Sequence, residues 1–202
     1  PTNTFIYSSN WGAAYFLILL AGYSVARFQL PEIIRTGSAK TLWGTAKYVA
    51  IPAVIVVAIL QVATNRFEIT PLLLISNYLD PHTLKGYSLY FTEIYVQIIV
   101  ITAAIFSIKK VQLAFKNHPM TSALVFLTFA IILHHVTSWL WNVDYNFKRT
   151  PWNYAWPFAL GIVIALAKSG RDKAIALFAA LLLTLDKWGI SPATYYVFGG
   201  CV

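Results

Sequence analysis

The chain has 202 residues, of which 58% are hydrophobic and 11% are charged, whereas roughly 25% of the residues in soluble domains are charged. This composition excludes an ordinary soluble domain and predicts an all-α fold, in which residues 1–202 form one polytopic transmembrane helix bundle. The net charge of +8 then indicates basic loops on the cytoplasmic side of a membrane, so the expected partner is the lipid bilayer and not a nucleic acid.

Six segments are apolar enough to form transmembrane helices, because a helix needs about 20 mostly apolar residues to cross about 30 Å of hydrocarbon. The second, fifth and sixth segments are short, so they require flanking side chains that snorkel to the interface. Boundaries read from a sequence carry errors of several residues. The predicted spans are residues 11–28, 48–64, 87–108, 120–141, 152–167 and 174–188.

The basic residues predict the orientation of these spans, because cytoplasmic loops are enriched in Lys and Arg. With the N-terminus outside, ten of the 15 basic residues fall on the inner side, and six spans place both termini on the outer, non-cytoplasmic side. The inner residues are Arg27, Arg35, Lys40, Lys47, Lys109, Lys110, Lys116, Lys168, Arg171 and Lys173. The outer residues are Arg66, Lys85, Lys148, Arg149 and Lys187.

The longest outer connection, residues 65–86, contains the apolar stretch TPLLLISNYL. Pro71 and the Asp80-Pro81 pair argue against a straight span there. We therefore expect this stretch to dip back into the membrane or to lie along its surface. On the inner side, RTGSAK at residues 35–40 predicts a turn between a short amphipathic piece and the second span.

The third span contains one carboxylate, Glu93, in the stretch LYFTEIYVQIIV. A charged group among apolar residues is unfavourable without a partner, so Glu93 is expected to face the bundle interior, about 10 Å from the outer end of its helix. Gln97 lies one turn later on the same face. His134 and His135 lie at a similar depth on the next, antiparallel span. We predict a hydrogen bond between Glu93 and one of the two histidines, since adjacent helical residues diverge by about 100°.

These polar residues have both a structural and a functional interpretation. Glu93 and Gln97 could form an interhelical hydrogen-bond pair, which is a common role of polar groups in membrane helices. Glu93, His134 and His135 are the candidate catalytic residues, and either histidine is a candidate axial ligand of a haem or chlorophyll-type pigment. No metal site is predicted, because ligands with the spacing of zinc or iron sites are missing from the sequence.

Two motifs resemble segments of membrane acyltransferase family 3. The stretch YFLILLAGYSVARF, with the triplet Ala21-Gly22-Tyr23, is similar to the family's second helix, which runs into a basic cytoplasmic loop. The stretch LYFTEIYVQ is similar to a motif in which an aromatic pair precedes a Glu and, four residues further on, a Gln. The matching residues are Tyr90, Phe91, Glu93 and Gln97. The resemblance covers roughly residues 11–108, and Ala21 stands where a serine is common.

The resemblance implies transfer of an acyl group from cytoplasmic acyl-CoA to a sugar or another hydroxyl acceptor. Arg27, Arg35 and Lys40 are then candidates for binding the anionic donor. The family's catalytic signature, however, is an arginine and a histidine on the helix that precedes the matched one. The ten residues before Trp11 contain neither arginine nor histidine, so no catalytic role carries over to this chain.

We therefore expect a non-catalytic accessory or structural subunit of a membrane protein complex, with other membrane subunits as partners. The alternative is a membrane O-acyltransferase whose catalytic helix lies upstream of this sequence or on another chain. A further alternative is a pigment- or haem-binding membrane subunit. In each case we expect an integral protein of a bacterial inner membrane.

Overall fold

The computed structural model describes residues 4–78, 89–140 and 149–188, with side chains described between residues 14 and 183 of these ranges. All regular structure in these residues is helical, which confirms the all-α prediction. A π-helical stretch, Val25–Gln29, joins α1 to α2, and a 3₁₀ turn, Ser76–Tyr78, follows α4. The helices are α1 (Thr4–Ser24), α2 (Leu30–Thr36), α3 (Lys40–Thr64), α4 (Ile69–Leu72), α5 (Tyr90–Phe106), α6 (Lys109–Asn117), α7 (Pro119–Leu140), α8 (Pro151–Leu166) and α9 (Gly170–Trp188).

Each of the six predicted spans lies on a helix, but the helix ends differ from the prediction. α3 begins at Lys40 rather than at residue 48, and α1 continues through the π-helical stretch and α2 as far as Thr36. Gly37 ends α2 with a φ of 67°, a left-handed conformation that favours glycine and commonly stops a helix. This confirms the turn predicted at residues 35–40.

Three helical segments are long and apolar enough to cross a membrane, namely Ala14–Thr36, Lys40–Thr64 and Pro119–Leu140. α5 and α6 add a fourth if they form one broken span, since they meet at an angle of 86°. The described residues thus have the length and composition of a helical membrane protein with three to four candidate spans. Six spans, and the side on which each terminus lies, stay predictions.

α8 is the central helix of the bundle. Its residues Tyr154, Phe158, Leu160 and Val163 are at most 1% exposed, and α1 and α7 make the most extensive contacts with it. Tyr15 of α1 stacks on Tyr154 with 4.8 Å between the ring centroids. Its sequence PWNYAWPFALGIVIAL is apolar on nearly every side, and a helix with this pattern is buried among other helices.

α3 presents an apolar stripe on the outside of the bundle. Ile51, Ile55, Ile59 and Val62 recur at three- and four-residue spacing and so share one face of the helix. Most of this face is exposed, and Pro52 lies within the helix without ending it, as proline does in many transmembrane helices. A stripe of this length would be an interaction surface in water, whereas in a bilayer it contacts acyl chains.

α1 and α8 approach each other closely at two glycines. A Cβ atom at Gly22 would overlap the carbonyl oxygen of Phe158, and a Cβ atom at Gly161 would overlap that of Leu19. Small residues at a helix crossing let the backbones approach, and van der Waals packing of this kind drives helix association in membranes. The Ala21-Gly22-Tyr23 triplet therefore has a role in helix packing, through Gly22.

We predict that Gly161→Ala destabilises the protein, because the added methyl group would force α1 and α8 apart. The expected loss is about 1–3 kcal/mol, as for other overpacked cores, measured as a lower midpoint of thermal unfolding in detergent micelles. Gly44→Ala is the matched control: a Cβ at Gly44 meets no atom within 4 Å, and alanine favours a helix more than glycine does. Equal unfolding midpoints for the two variants would contradict the close crossing.

Candidate functional site

Glu93 has no exposed surface and lies in the first turn of α5. The helix begins at Tyr90, so Glu93 is nearer the helix end than the predicted depth of about 10 Å. One carboxyl oxygen accepts a hydrogen bond from Ser76 Oγ at 2.5 Å, and the other accepts one from the Asn77 backbone N–H at 2.9 Å. Both donors lie on the 3₁₀ turn, so Glu93 ties this turn to α5.

The connection after α3 folds back into the bundle to reach Glu93. Asn65 ends α3 in the left-handed conformation with a φ of 52°. The Gln61 amide then bridges to Glu68: its Nε2 donates to the Glu68 carbonyl at 2.9 Å, and its Oε1 accepts from the Glu68 N–H at 3.2 Å. Leu74, with a φ of 56°, turns the chain again before the 3₁₀ turn.

Ser76 and Asn77 consequently have no exposed surface. These two residues of the TPLLLISNYL stretch therefore pack into the helix bundle, and the position of the stretch relative to the membrane stays a prediction. Residues 79–88, which include Asp80 and Pro81, lie outside the described residues.

A second layer of hydrogen bonds holds the same turn. The Asn77 and Gln97 side-chain amides exchange two hydrogen bonds, of 3.1 and 2.9 Å. Gln97 Nε2 also donates to the Leu74 carbonyl at 2.6 Å, and Asn77 Nδ2 donates to the Arg149 carbonyl at 3.0 Å. Gln97 thus acts on the same face as Glu93, as the four-residue spacing predicts. We call Glu93, Gln97, Ser76, Asn77 and Arg149 the Glu93 cluster.

Arg149 joins the cluster from the residue pair that precedes α8. It is 6% exposed, and its guanidinium lies over the Tyr90 ring, 5.1 Å from the ring centroid, a distance at which a cation and an aromatic face attract. The sequence marks Arg149 only as one of the outer basic residues. Ser76, Asn77 and Arg149 are far from Glu93 along the chain, and no motif links them to it.

The two candidate histidines have different environments. His134 is 4% exposed, whereas His135 is exposed, and their rings meet edge to face with centroids 5.4 Å apart. Only one of the adjacent residues faces inward, as the helical geometry requires. α7 packs chiefly against α8 rather than against α5. The hydrogen bond between Glu93 and a histidine stays a prediction, and the partners described above for the carboxyl group are Ser76 and Asn77.

The candidate donor-binding residues do not gather in one place. Arg35 forms an exposed ion pair with Glu32 at 2.6 Å within α2. Lys40 is exposed at the start of α3. Arg27 instead lines a cavity together with Lys168 and Lys173, two predicted inner residues that are far from Arg27 in the sequence.

Within the described part of the chain, no group of three or more His, Cys, Asp or Glu residues could hold a metal ion. Comparisons of the chain with known protein families, with characterised proteins and with solved structures found no match. The chemistry of the Glu93 cluster must therefore be judged from its geometry. In this geometry the carboxyl oxygens accept hydrogen bonds from the protein itself, and the result is a fixed connection between α3, α5 and the start of α8.

We predict that Glu93→Leu destabilises the protein, because the Ser76 hydroxyl and the Asn77 N–H lose their acceptors inside the bundle. An unsatisfied buried polar group costs about 1–3 kcal/mol, so we expect the free energy of unfolding to fall by about 2–4 kcal/mol. The measurement is an unfolding titration in which a denaturing detergent replaces a mild one. Glu93→Gln should lose less, since the amide oxygen can still accept from Asn77 while the amide donates to Ser76 Oγ.

Thr128→Val is the control for replacing a polar residue, because the Thr128 hydroxyl is exposed and donates only to the Leu124 carbonyl of its own helix. This variant should unfold like the wild type. A Glu93→Leu protein as stable as Thr128→Val would show that the two hydrogen bonds do not hold the 3₁₀ turn.

Proposed function

We propose that the chain is a six-span membrane protein with an acyltransferase-like scaffold, and that it serves as a non-catalytic accessory or structural subunit of a membrane complex. The observation that carries this proposal is the complete burial of Glu93 with both carboxyl oxygens hydrogen-bonded to the 3₁₀ turn. A general base must come within hydrogen-bond reach of the proton that it removes. The hydroxyl group of an acyl acceptor cannot reach the Glu93 carboxyl group unless the 3₁₀ turn moves away from it.

The scaffold part of the proposal is supported by the places that the two motifs occupy. The Ala21-Gly22-Tyr23 triplet lies at the close crossing of α1 and α8, and Glu93 with Gln97 fixes the connection that follows α3. Both motifs therefore have packing roles. A chain that performs no chemistry would therefore still need these residues for packing.

The proposed orientation, with both termini outside, is supported by the distribution of charge. Lys109, Lys110 and Lys116 lie together on α6 and are exposed. α6 turns by 86° away from α5, and it is amphipathic, with Gln112 and Phe115 buried. A basic amphipathic helix at this place fits the anionic surface of a cytoplasmic leaflet.

The orientation predicts which cysteines react with a membrane-impermeant maleimide. In a Cys201→Ser background, Arg66→Cys should be labelled in intact cells or right-side-out vesicles, because Arg66 is exposed and lies on the proposed outer side. Lys110→Cys should react only after the membrane is permeabilised. Labelling with the reverse pattern would contradict the proposed orientation and leave the helical fold unaffected.

The accessory role predicts that the purified chain, reconstituted in liposomes, does not transfer or hydrolyse an acyl group from radiolabelled acetyl-CoA. It also predicts that Glu93→Leu lowers the amount of a discrete complex on native gels in proportion to its lower stability. Acyl transfer by the chain, lost in Glu93→Gln while the unfolding midpoint is kept, would overturn the proposal in favour of an acyltransferase.

A further inference from the structure

A cavity of about 510 Å³ opens where the π-helical stretch, the end of α8 and the first half of α9 meet. Its volume lies within the range of small-molecule sites. Arg27 from the π-helical stretch, Lys168 from the residues after α8 and Lys173 from the first turn of α9 line it. We call these three residues the cationic end of the cavity. Since they come from three elements, the fold and not a local run of charge brings them together.

The charge of the cationic end is not neutralised by the cavity itself. No carboxylate is among the residues that line it, and within the described ranges none of the three cations forms an ion pair. Asp172 is next to Lys173 in the sequence, but it belongs to the helix cap. Its N–H donates to Ser169 Oγ at 3.1 Å, and its carboxylate accepts from the Ser169 N–H at 3.2 Å.

The rest of the cavity is apolar and follows the helix axes. Ala176, Leu177 and Ala180 lie three, four and seven positions after Lys173, on the same face of α9. At 1.5 Å per residue this wall extends about 10 Å from the cationic end. Ile164 of α8 faces it one turn before Lys168. The cavity is therefore cationic at one end and apolar along its length, which is the pattern of an amphiphile with an anionic head.

The backbone near Arg27 departs from a regular helix in a way that fits a binding site. Residues Val25–Gln29 form a π-helical stretch, which breaks the regular spacing of side chains in the middle of an apolar segment. Such insertions occur frequently at functional sites. α1 packs against α8 through Gly22, and the π-helical stretch that follows also contacts α8 and carries Arg27 into the lining of the cavity.

We propose that this cavity binds an anionic phospholipid, with the headgroup phosphate at the cationic end and one acyl chain along the apolar wall of α9. Basic pockets between membrane helices on the cytoplasmic side bind anionic headgroups in this way. The long apolar wall favours a lipid over a water-soluble phosphate compound, which would leave the wall empty. The cavity and the Glu93 cluster lie at opposite ends of α8, so the inference does not rest on the role of Glu93.

The test uses the purified full chain in dodecyl maltoside micelles and native mass spectrometry to count bound lipid. Dioleoyl-phosphatidylglycerol should be retained and dioleoyl-phosphatidylcholine should not. The double variant Lys168→Gln/Lys173→Gln should weaken phosphatidylglycerol binding by about fivefold per cation removed, as expected for basic residues near an anionic headgroup. The control is Lys109→Gln/Lys110→Gln, which removes the same charge from exposed positions of α6 outside the cavity and should leave binding unchanged.

Three results would overturn the proposal. Equal retention of the two lipids would show that the headgroup charge is not recognised. Equal weakening in both double variants would show a general electrostatic effect. Binding of coenzyme A or inorganic phosphate that depends on Lys168 and Lys173, without retention of phosphatidylglycerol, would show that the site takes a soluble phosphate compound. Thermal unfolding midpoints of both double variants should match the wild type, since the substituted lysines are exposed.

Discussion

A polar group inside an apolar bundle must find a partner within the protein, because neither lipid nor packed side chains can replace water. This constraint explains the structure of the bundle around Glu93. The Glu93 carboxyl group needs donors, and the connection after α3 carries backbone and side-chain groups that are not satisfied by a helix. This connection and α5 satisfy each other's hydrogen-bonding groups, through the Ser76 hydroxyl, the Asn77 N–H and the Leu74 carbonyl.

The central helix α8 connects the Glu93 cluster to the opposite end of the bundle. At its start, the Arg149 carbonyl accepts a hydrogen bond from Asn77. Along its length, Gly161 lets α1 approach, and beyond its end Lys168 lines the basic cavity. Displacement of α8 would therefore disturb both ends of the bundle. In a membrane, where burial of apolar surface does not drive helices together, such specific contacts decide which helices are neighbours.

The helical fold could be predicted from the sequence, because runs of apolar residues long enough for a membrane helix have few other solutions. That Glu93 is buried and that Gln97 shares its face followed from the apolar context and the four-residue spacing. The partners of Glu93 could not be predicted in the same way. Ser76 and Asn77 lie in a connection whose path depends on the backbone turns at Asn65 and Leu74. Asparagine is one of the residues that adopt a left-handed conformation, but leucine is not, so the turn at Leu74 has no signal in the sequence.

The residues at the cationic end of the cavity could not be grouped from the sequence either. Arg27 lies at the end of the motif that resembles the acyltransferase family, and Arg35 and Lys40 are close to it in the chain, so the sequence alone groups these three residues. The structure places Arg27 beside Lys168 and Lys173 instead, since α1 packs on α8 and α9 turns back at Ser169. Neighbours in space here come from helix packing, which a periodic apolar pattern does not specify.

Glu93 holds the connection after α3 inside the bundle, and the arrangement of this end of the molecule depends on it. Hydrogen–deuterium exchange of the protein in lipid nanodiscs tests this claim directly, on peptides that cover residues 69–78. The wild-type peptides should exchange as slowly as those of α5, and in Glu93→Leu they should exchange at least tenfold faster while α5 itself stays protected. Rapid exchange of residues 69–78 in the wild type, at the rate of an open surface loop, would contradict the account.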